Sequence, residues 1–314
     1  MKKINLLAVL ALAATPAFLH AQTTSYSDVV GYNTSSFPAG TSGHGVGFVK
    51  AALYTGSASK LSPTSFSAAG LTAANNSLAP VSGLPTHYVE IVSGANEGLI
   101  MDIVSNTGTT VVVDGDLSSV GATEQIAVRA HVKASEVFAG NTSLADFTDT
   151  LLVYNADGSS YTLLRDSSSP SGWVDPNLFS PADVVIYPGQ AFLLSTASAG
   201  SFTTTGNVKS TATLIPLYAS SLNYISAGNP STSPDIQVSG LGANLAAYVD
   251  TVATFVNNGS FEQSATYLWA GAPDNFIDPN LFSTVSGVGL PGTGAILVSV
   301  SADTAWKAPA PYTP

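Results

Sequence analysis

One octapeptide, Trp173-Val-Asp-Pro-Asn-Leu-Phe-Ser180, returns 103 residues later as Phe276-Ile-Asp-Pro-Asn-Leu-Phe-Ser283. Two conservative pairs lead into six consecutive identities. At the same offset Pro188-Gly189 meets Pro291-Gly292, and each pair opens an apolar run. Upstream the offset falls by two: Leu144-Ala-Asp-Phe-Thr-Asp-Thr150 matches Leu245-Ala-Ala-Tyr-Val-Asp-Thr251, and Asp157-Gly158-Ser159 matches Asn258-Gly259-Ser260. A pattern held from Leu144 to Gly189 and repeated in order requires two copies of one folding unit. The copies are placed at 135–205 and 206–314. Val30-Gly-Tyr-Asn33 followed by Phe48-Val-Lys-Ala-Ala-Leu53 weakly echoes Gly206-Asn-Val-Lys-Ser-Thr-Ala-Thr-Leu214. Residues 22–134 then form an N-terminal β domain, with 55–133 as a small insertion within it.

No stretch sustains a 3.6-residue apolar period, whereas period-two or short apolar runs recur between turn residues. The strands expected are 46–53, 87–92, 99–104, 109–113, 125–132, 150–154, 161–164, 184–187, 191–195, 211–217 and 295–300. Asn-Thr-Gly, Asp-Gly-Asp, Ala-Asp-Gly and Asn-Asn-Gly stand between runs and suit tight turns. Only Ala134 to Phe138 reads as a helical turn. The expected fold class is all-β, with duplicated β-sandwich-like modules plus a small N-terminal meander or barrel.

Four features together, Asp28-Val-Val-Gly-Tyr32, Ser93-Gly-Ala-Asn-Glu-Gly98, Asp116-Leu-Ser-Ser-Val120 and the duplicated Asp-Thr modules, resemble a secreted paralogous protein family of verrucomicrobial bacteria. The resemblance spans most of the chain beyond its first residues. It implies export and an expanded gene family, and it implies no chemistry. The sorting tail frequent in that family is not expected after the last module.

Export is also read directly. Lys2 and Lys3 precede an apolar run from Leu6 to Ala14 that is too short for a membrane anchor, so residues 1–21 form a signal peptide. Cleavage is expected after Ala21, with Ala17 as the alternative. With no cysteine, the chain has neither a lipid anchor nor a disulfide, and burial alone must stabilise it. Charged residues make up 9% of the chain, against about 25% in an ordinary soluble domain, and the formal net charge is −11. Loss of Lys2 and Lys3 makes it more negative still. Scattered Lys and Arg on an acidic chain exclude nucleic acid as a partner and disfavour anionic membranes. A C-terminus ending Pro-Ala-Pro-Tyr-Thr-Pro argues against the closing strand of an outer-membrane barrel, and an integral membrane protein is not expected.

Candidates for chemistry are few. No Gly-x-Ser-x-Gly elbow occurs, and His44, His87 and His131 are isolated, read as a glycine-loop residue and two strand-edge residues. No catalytic residue and no zinc set is assigned. Asp114-Gly-Asp116 has two carboxylates at ligand spacing, which makes calcium the one cofactor to consider. Asp175, Pro176 and Asn177, with Asp278, Pro279 and Asn280, read as structural turns whose following Leu-Phe tucks into the core. Tyr54, Tyr154, Tyr161, Trp173, Tyr187, Tyr267 and Trp269 could act as flat platforms for sugar. Trp173 aligns with Phe276 and is read as core. Trp269, with Tyr267 near it, has no evident counterpart and is preferred as a platform.

The expected function is therefore that of an exported structural or adhesive protein of the cell surface or extracellular matrix, without catalysis. Self-association or contact with other envelope proteins is its expected partnership. A carbohydrate-binding protein acting on environmental polysaccharide is the alternative, and a polysaccharide hydrolase or lyase is third.

Overall fold

The computed structural model describes residues 29–155, 158–273 and 275–312. The signal peptide expected at 1–21, together with Asp28 and Asp157, lies outside these described residues. The chain opens with β1 (Val30–Phe37) and β2 (Gly40–Gly45). It then enters a closed barrel of β3 (Ala52–Ser62), β4 (Ser65–Ser67), β5 (His87–Ile91), β6 (Ile100–Thr107), β7 (Thr110–Val113) and β8 (Thr123–Ala130), joined in the cyclic order β3-β4-β7-β6-β5-β8. The long β3 closes the ring by pairing with β4 on one side and β8 on the other. Closure removes free strand edges. Inward residues including Phe66, Ile91, Ile103, Leu117 and Ile126 fill the interior.

The chain emerges into β9 (Val132–Lys133), the single turn α1 (Ala134–Val137), β10 (Thr150–Tyr154), β11 (Ser160–Arg165), β12 (Trp173–Val174), β13 (Val185–Ile186), β14 (Ala191–Thr196) and β15 (Gly200–Asn207). A sheet ordered β12-β11-β10-β14-β2 forms one layer, while β1 pairs with β15 and β9 with β13. Leu151, Leu163, Phe192 and Leu194 from the sheet pack with Phe37, Val137, Phe138 and Phe202 from the ribbon and α1.

The second copy repeats this plan with β16 (Thr213–Leu217), β17 (Asn223–Ile225), a 3₁₀ turn at Leu241–Asn244, β18 (Thr251–Val256), β19 (Glu262–Trp269), β20 (Phe276–Asp278), β21 (Ser283–Thr284), β22 (Ile296–Ser299) and β23 (Thr304–Ala308). Its sheet runs β17-β22-β18-β19-β20-β21, and β16 pairs with β23. Most strands have a counterpart by place in their sheets, β2 with β17, β14 with β22, β10 with β18, β11 with β19, β12 with β20, and the ribbon β1-β15 with β16-β23, whereas the pair β9-β13 and strand β21 have none. The strand order across the two sheets is thus alike at these places.

Within residues 22–134, the insertion expected at 55–133 takes the form of the barrel, and the strands before it pair with the first copy, whose expected start is 135. β1 and β2 complete the first copy, and the barrel spans 52–130, inserted between β2 and β9. The two strands, Val-Gly-Tyr-Asn-Thr-Ser-Ser-Phe and Gly-Thr-Ser-Gly-His-Gly, lack the apolar alternation that would have revealed them. The strand expected over 46–53 begins only at Ala52. The crossing segment before it is fixed by Val49, which exchanges two backbone hydrogen bonds with Asn207.

The two copies meet at the edge of β2. Its Thr41 N–H donates to the Gly259 carbonyl and its Gly45 N–H to the Thr293 carbonyl, both at 2.7 Å. Between them the Asn257 side chain accepts from Gly43 N–H at 2.9 Å and donates to the Gly43 carbonyl at 3.0 Å. A Cβ on Gly43 would stand 2.5 Å from the Phe261 ring, and one on Gly45 would stand 2.3 Å from Ser226 Cβ. These glycines serve close approach. The barrel docks through a buried ionic cluster in which Glu90 contacts Lys209 at 2.6 Å and Arg129 at 3.3 Å and accepts from Thr211 at 2.7 Å. Burial pulls the Lys209 amine down, and Glu90 opposes that shift.

Candidate functional site

The twin Asp-Pro-Asn turns form as expected, and their apolar ends do not. Asp175 Oδ1 accepts the N–H groups of Asn177 and Leu178 at 2.7 and 3.0 Å, and Asp278 Oδ1 accepts those of Asn280 and Leu281 at 2.7 and 3.3 Å. The main-chain oxygens of the same aspartates accept from Phe179 and Phe282 at 2.8 Å. Each turn is closed locally, and Pro176 and Pro279 stand between each accepting carboxylate and the N–H groups that donate to it. Leu178 and Phe179, expected in the core, are 75% and 62% exposed, and Leu281 and Phe282 are 73% and 72% exposed. The cores beneath are already filled by Trp173 and Phe276, which leaves no space for the pair that follows.

Phe179 and Phe282 also hold φ of 51° and 49°, a left-handed conformation that costs a bulky side chain about 1–3 kcal/mol. A second aromatic pair repeats the oddity. Phe147 and Tyr248, at matching positions, hold φ of 55° and 60° and are largely exposed. Their N–H groups donate to the carbonyls of Arg165 and Trp269, at the ends of β11 and β19. Beside them Asp149 and Asp250 are buried and act alike. One carboxylate oxygen accepts the N–H of Ala145 or Ala246, and the other accepts that of Ala197 or Ser301. These aspartates tie the aromatic turn to the loop after β14 or β22. In each copy the Leu-Phe turn lies at the β12 or β20-β21 edge, opposite the β2 or β17 edge where the copies meet.

A second feature lies where barrel, first copy and second copy converge. A cleft of about 400 Å³ is lined by Met101, Asp102 and Asp114 of the barrel, by Tyr154 and Tyr187 of the first copy, and by Tyr218 and Tyr224 of the second, among others. The Tyr154 and Tyr224 rings stack at 5.1 Å. Asp102 is fully engaged. It accepts from the Tyr187 hydroxyl at 2.6 Å and from His131 Nε2 at 2.9 Å, and its N–H donates to Asp114 Oδ1 at 2.9 Å. Burial, then the neighbouring Asp102, raises the pKa of Asp114 above the usual carboxylate range. Burial and Asp102 likewise raise the Tyr187 phenol, and burial with Tyr154 raises Tyr224.

The other residues singled out by sequence lie elsewhere. Trp269 is half-buried, with its ring against Phe276 at 5.0 Å and under Gly242, where a Cβ would meet it at 2.1 Å. It does have a counterpart, Arg165: both face the matched pair Phe276 and Trp173 across the β19-β20 and β11-β12 ladders. The Arg165 guanidinium lies 5.7 Å from the Trp173 ring, so cation and indole fill the same place, a kinship that residue type conceals. Tyr267 packs beside Trp269 on the second core. Neither presents a platform. Asp116 points away from Asp114 in its bonding, accepting from Ser118 N–H and hydroxyl at 2.8 and 2.6 Å. Among the described residues no three His, Asp or Glu side chains gather as metal ligands.

His87 opens β5 as a strand-end residue, whereas His44 and His131 lie deeper than their sequence reading implies. His44 is buried in β2, its Nε2 2.8 Å from the Ser42 hydroxyl and its ring against Phe192 and Phe202. His131 is buried between Tyr88 and Tyr187. Glycines flanking His44 suggest a mobile loop only until their packing role is seen. Compared with known proteins, the chain matches no protein-family model, no curated protein and no solved structure. Among the described residues no helix is long and apolar enough to cross a membrane.

Proposed function

We propose that this chain is an exported, non-catalytic structural or adhesive protein that associates with further copies of itself through its two Leu-Phe turns. The single observation that carries this reading is the repeated exposure of Leu178-Phe179 and Leu281-Phe282 on strained backbone at the outer sheet edges. Strain of that kind persists where surrounding structure imposes it, and it favours a functional reading of the residue that bears it. Apolar side chains fixed in two equivalent turns give each chain two like contact points. Contacts between like turns build chains of molecules, whereas a single contact point stops at a dimer. Acidic surfaces repel, so salt that screens them strengthens the association.

The enclosed ionic lock and the glycine-fitted junction support the same reading, because a rigid unit keeps its two contact points at fixed separation. Export and envelope location rest on the leader-like first residues and on the sparse charge. The test is sedimentation of the chain at rising concentration, with Leu178→Ser and Phe179→Ser in one variant and Leu281→Ser and Phe282→Ser in another. Removal of one turn is expected to arrest assembly at dimers, and removal of both to leave monomers. Unchanged sedimentation in the doubly altered chain refutes the assignment.

A further inference from the structure

We infer that the cleft between the barrel and the two copies is a binding site for a neutral oligosaccharide, separate from the Leu-Phe turns. Its volume of about 400 Å³ falls within the ~300–1,000 Å³ of small-molecule sites, and its place at the meeting of three folded units is where such sites concentrate. Four tyrosines line it, Tyr154 and Tyr224 stacked on each other, and this aromatic wall suits the apolar side of a pyranose ring.

The polar groups divide into two sets. Asp102, Tyr187, Gln190 and Asn223 are spent within the protein. Gln190 bridges the Tyr187 N–H and the Tyr154 carbonyl, and Asn223 is saturated by Tyr218, Ser221 and Val298. These groups make the wall rigid. By contrast, the hydroxyls of Tyr154, Tyr218 and Tyr224 make no hydrogen bond among the described residues, and Asp114 uses only Oδ1. Three phenols and one carboxylate oxygen therefore remain to meet ligand hydroxyls.

Charge selects the class of sugar. Among the described residues no Lys, Arg or His lines the cleft, whereas two aspartates do. A uronic acid or sulfated sugar brings a negative charge with no cation to receive it, and burying an unpaired charge is costly. A neutral sugar brings hydroxyl donors that Asp114 accepts and acceptors that the phenols serve. Because Tyr154 and Asp114 sit on one side of the junction and Tyr218 and Tyr224 on the other, ligand binding also ties the units together.

Calorimetric titration of the full chain with a panel of neutral oligosaccharides (β-glucan, xylan, mannan and α-glucan fragments), with acidic glycans and a tyrosine-binding proline-rich peptide as comparators, tests the assignment. Saturable binding of a neutral sugar is expected. Tyr224→Ala should weaken it about tenfold, as loss of a stacked ring and its hydroxyl implies. Leu222→Trp, at the exposed rim, should block entry while leaving the melting temperature unchanged, and it decides the matter if Tyr224→Ala does not fold. Absence of saturable binding across the neutral panel overturns the inference. So does preference for acidic glycans or peptide, or sugar binding that Leu222→Trp leaves intact.

Discussion

At the scale of single residues, the aspartates separate into two energetic classes. Asp149 and Asp250 are buried and hold two backbone N–H groups each, so Asp149→Ala leaves two part-buried donors without their charged acceptor and should lower unfolding free energy by about 2–5 kcal/mol. Asp175 caps an exposed turn, and Asp175→Ala should lose only about 0.5–2 kcal/mol by analogy with helix caps. Urea denaturation of both variants measures the difference; equal losses would contradict it. Phe179→Asn tests the strain separately, because asparagine tolerates the left-handed region. Its melting temperature should match or exceed the wild-type value while association weakens, and a lower melting temperature would show that Phe179 serves folding. His44 gives a pH signature. Burial draws its pKa from 6.5 to about 4, so the unfolded chain takes up a proton that the folded chain refuses. Stability is complete above pH 6.5 and falls as the pH drops through that window, by about 1.4 kcal/mol per pH unit. Unfolding measured from pH 7 to pH 5 should show this slope in the wild type and a shallower one in His44→Gln. The sequence made the Asp-Pro-Asn turns legible because their bonding is local. It concealed the burial of His44 and His131, which depends on strands far away in the chain.

At the scale of elements, β5, β6, β7 and β8 of the barrel and β10, β11 and β14 were legible because alternation or an apolar run reports a buried face, whereas β3 beyond Leu53 and β4 were missed. β1 and β2 were missed too, since a strand of Gly, Ser and Thr gains its place from hydrogen bonds and close packing. Trp269 misled for a related reason, as its partner in the duplication is an arginine doing the same covering work. The junction along β2 depends on two absent side chains. Gly43→Ala places a methyl group against Phe261 and Ala295, and Gly45→Ala places one against Ser226. Each should destabilise the chain by about 1–3 kcal/mol through overpacking. Hydrogen exchange should show the loss concentrated in β2 and the 257–260 turn; exchange spread evenly over the molecule would count against a local junction.

At the scale of the whole molecule, the barrel is an insertion held by buried charge. Glu90→Ala strands Lys209 and Arg129 without their shared carboxylate, and breaking such a buried cluster from one side costs about 3–5 kcal/mol. On the proposed reading, the two matched halves hold one Leu-Phe turn at each outer sheet edge. All-β class and duplication were readable in the linear chain, but the outward direction of the Leu-Phe pairs was not, because only the filled cores beneath them exclude those side chains. Sedimentation velocity across a concentration series reads this arrangement most directly. Wild-type chain should grow beyond dimers, more so in added salt, the variant lacking one turn should stop at dimers, and the variant lacking both should stay monomeric. A wild-type chain that remains monomeric throughout, or a variant lacking both turns that assembles as before, contradicts the account.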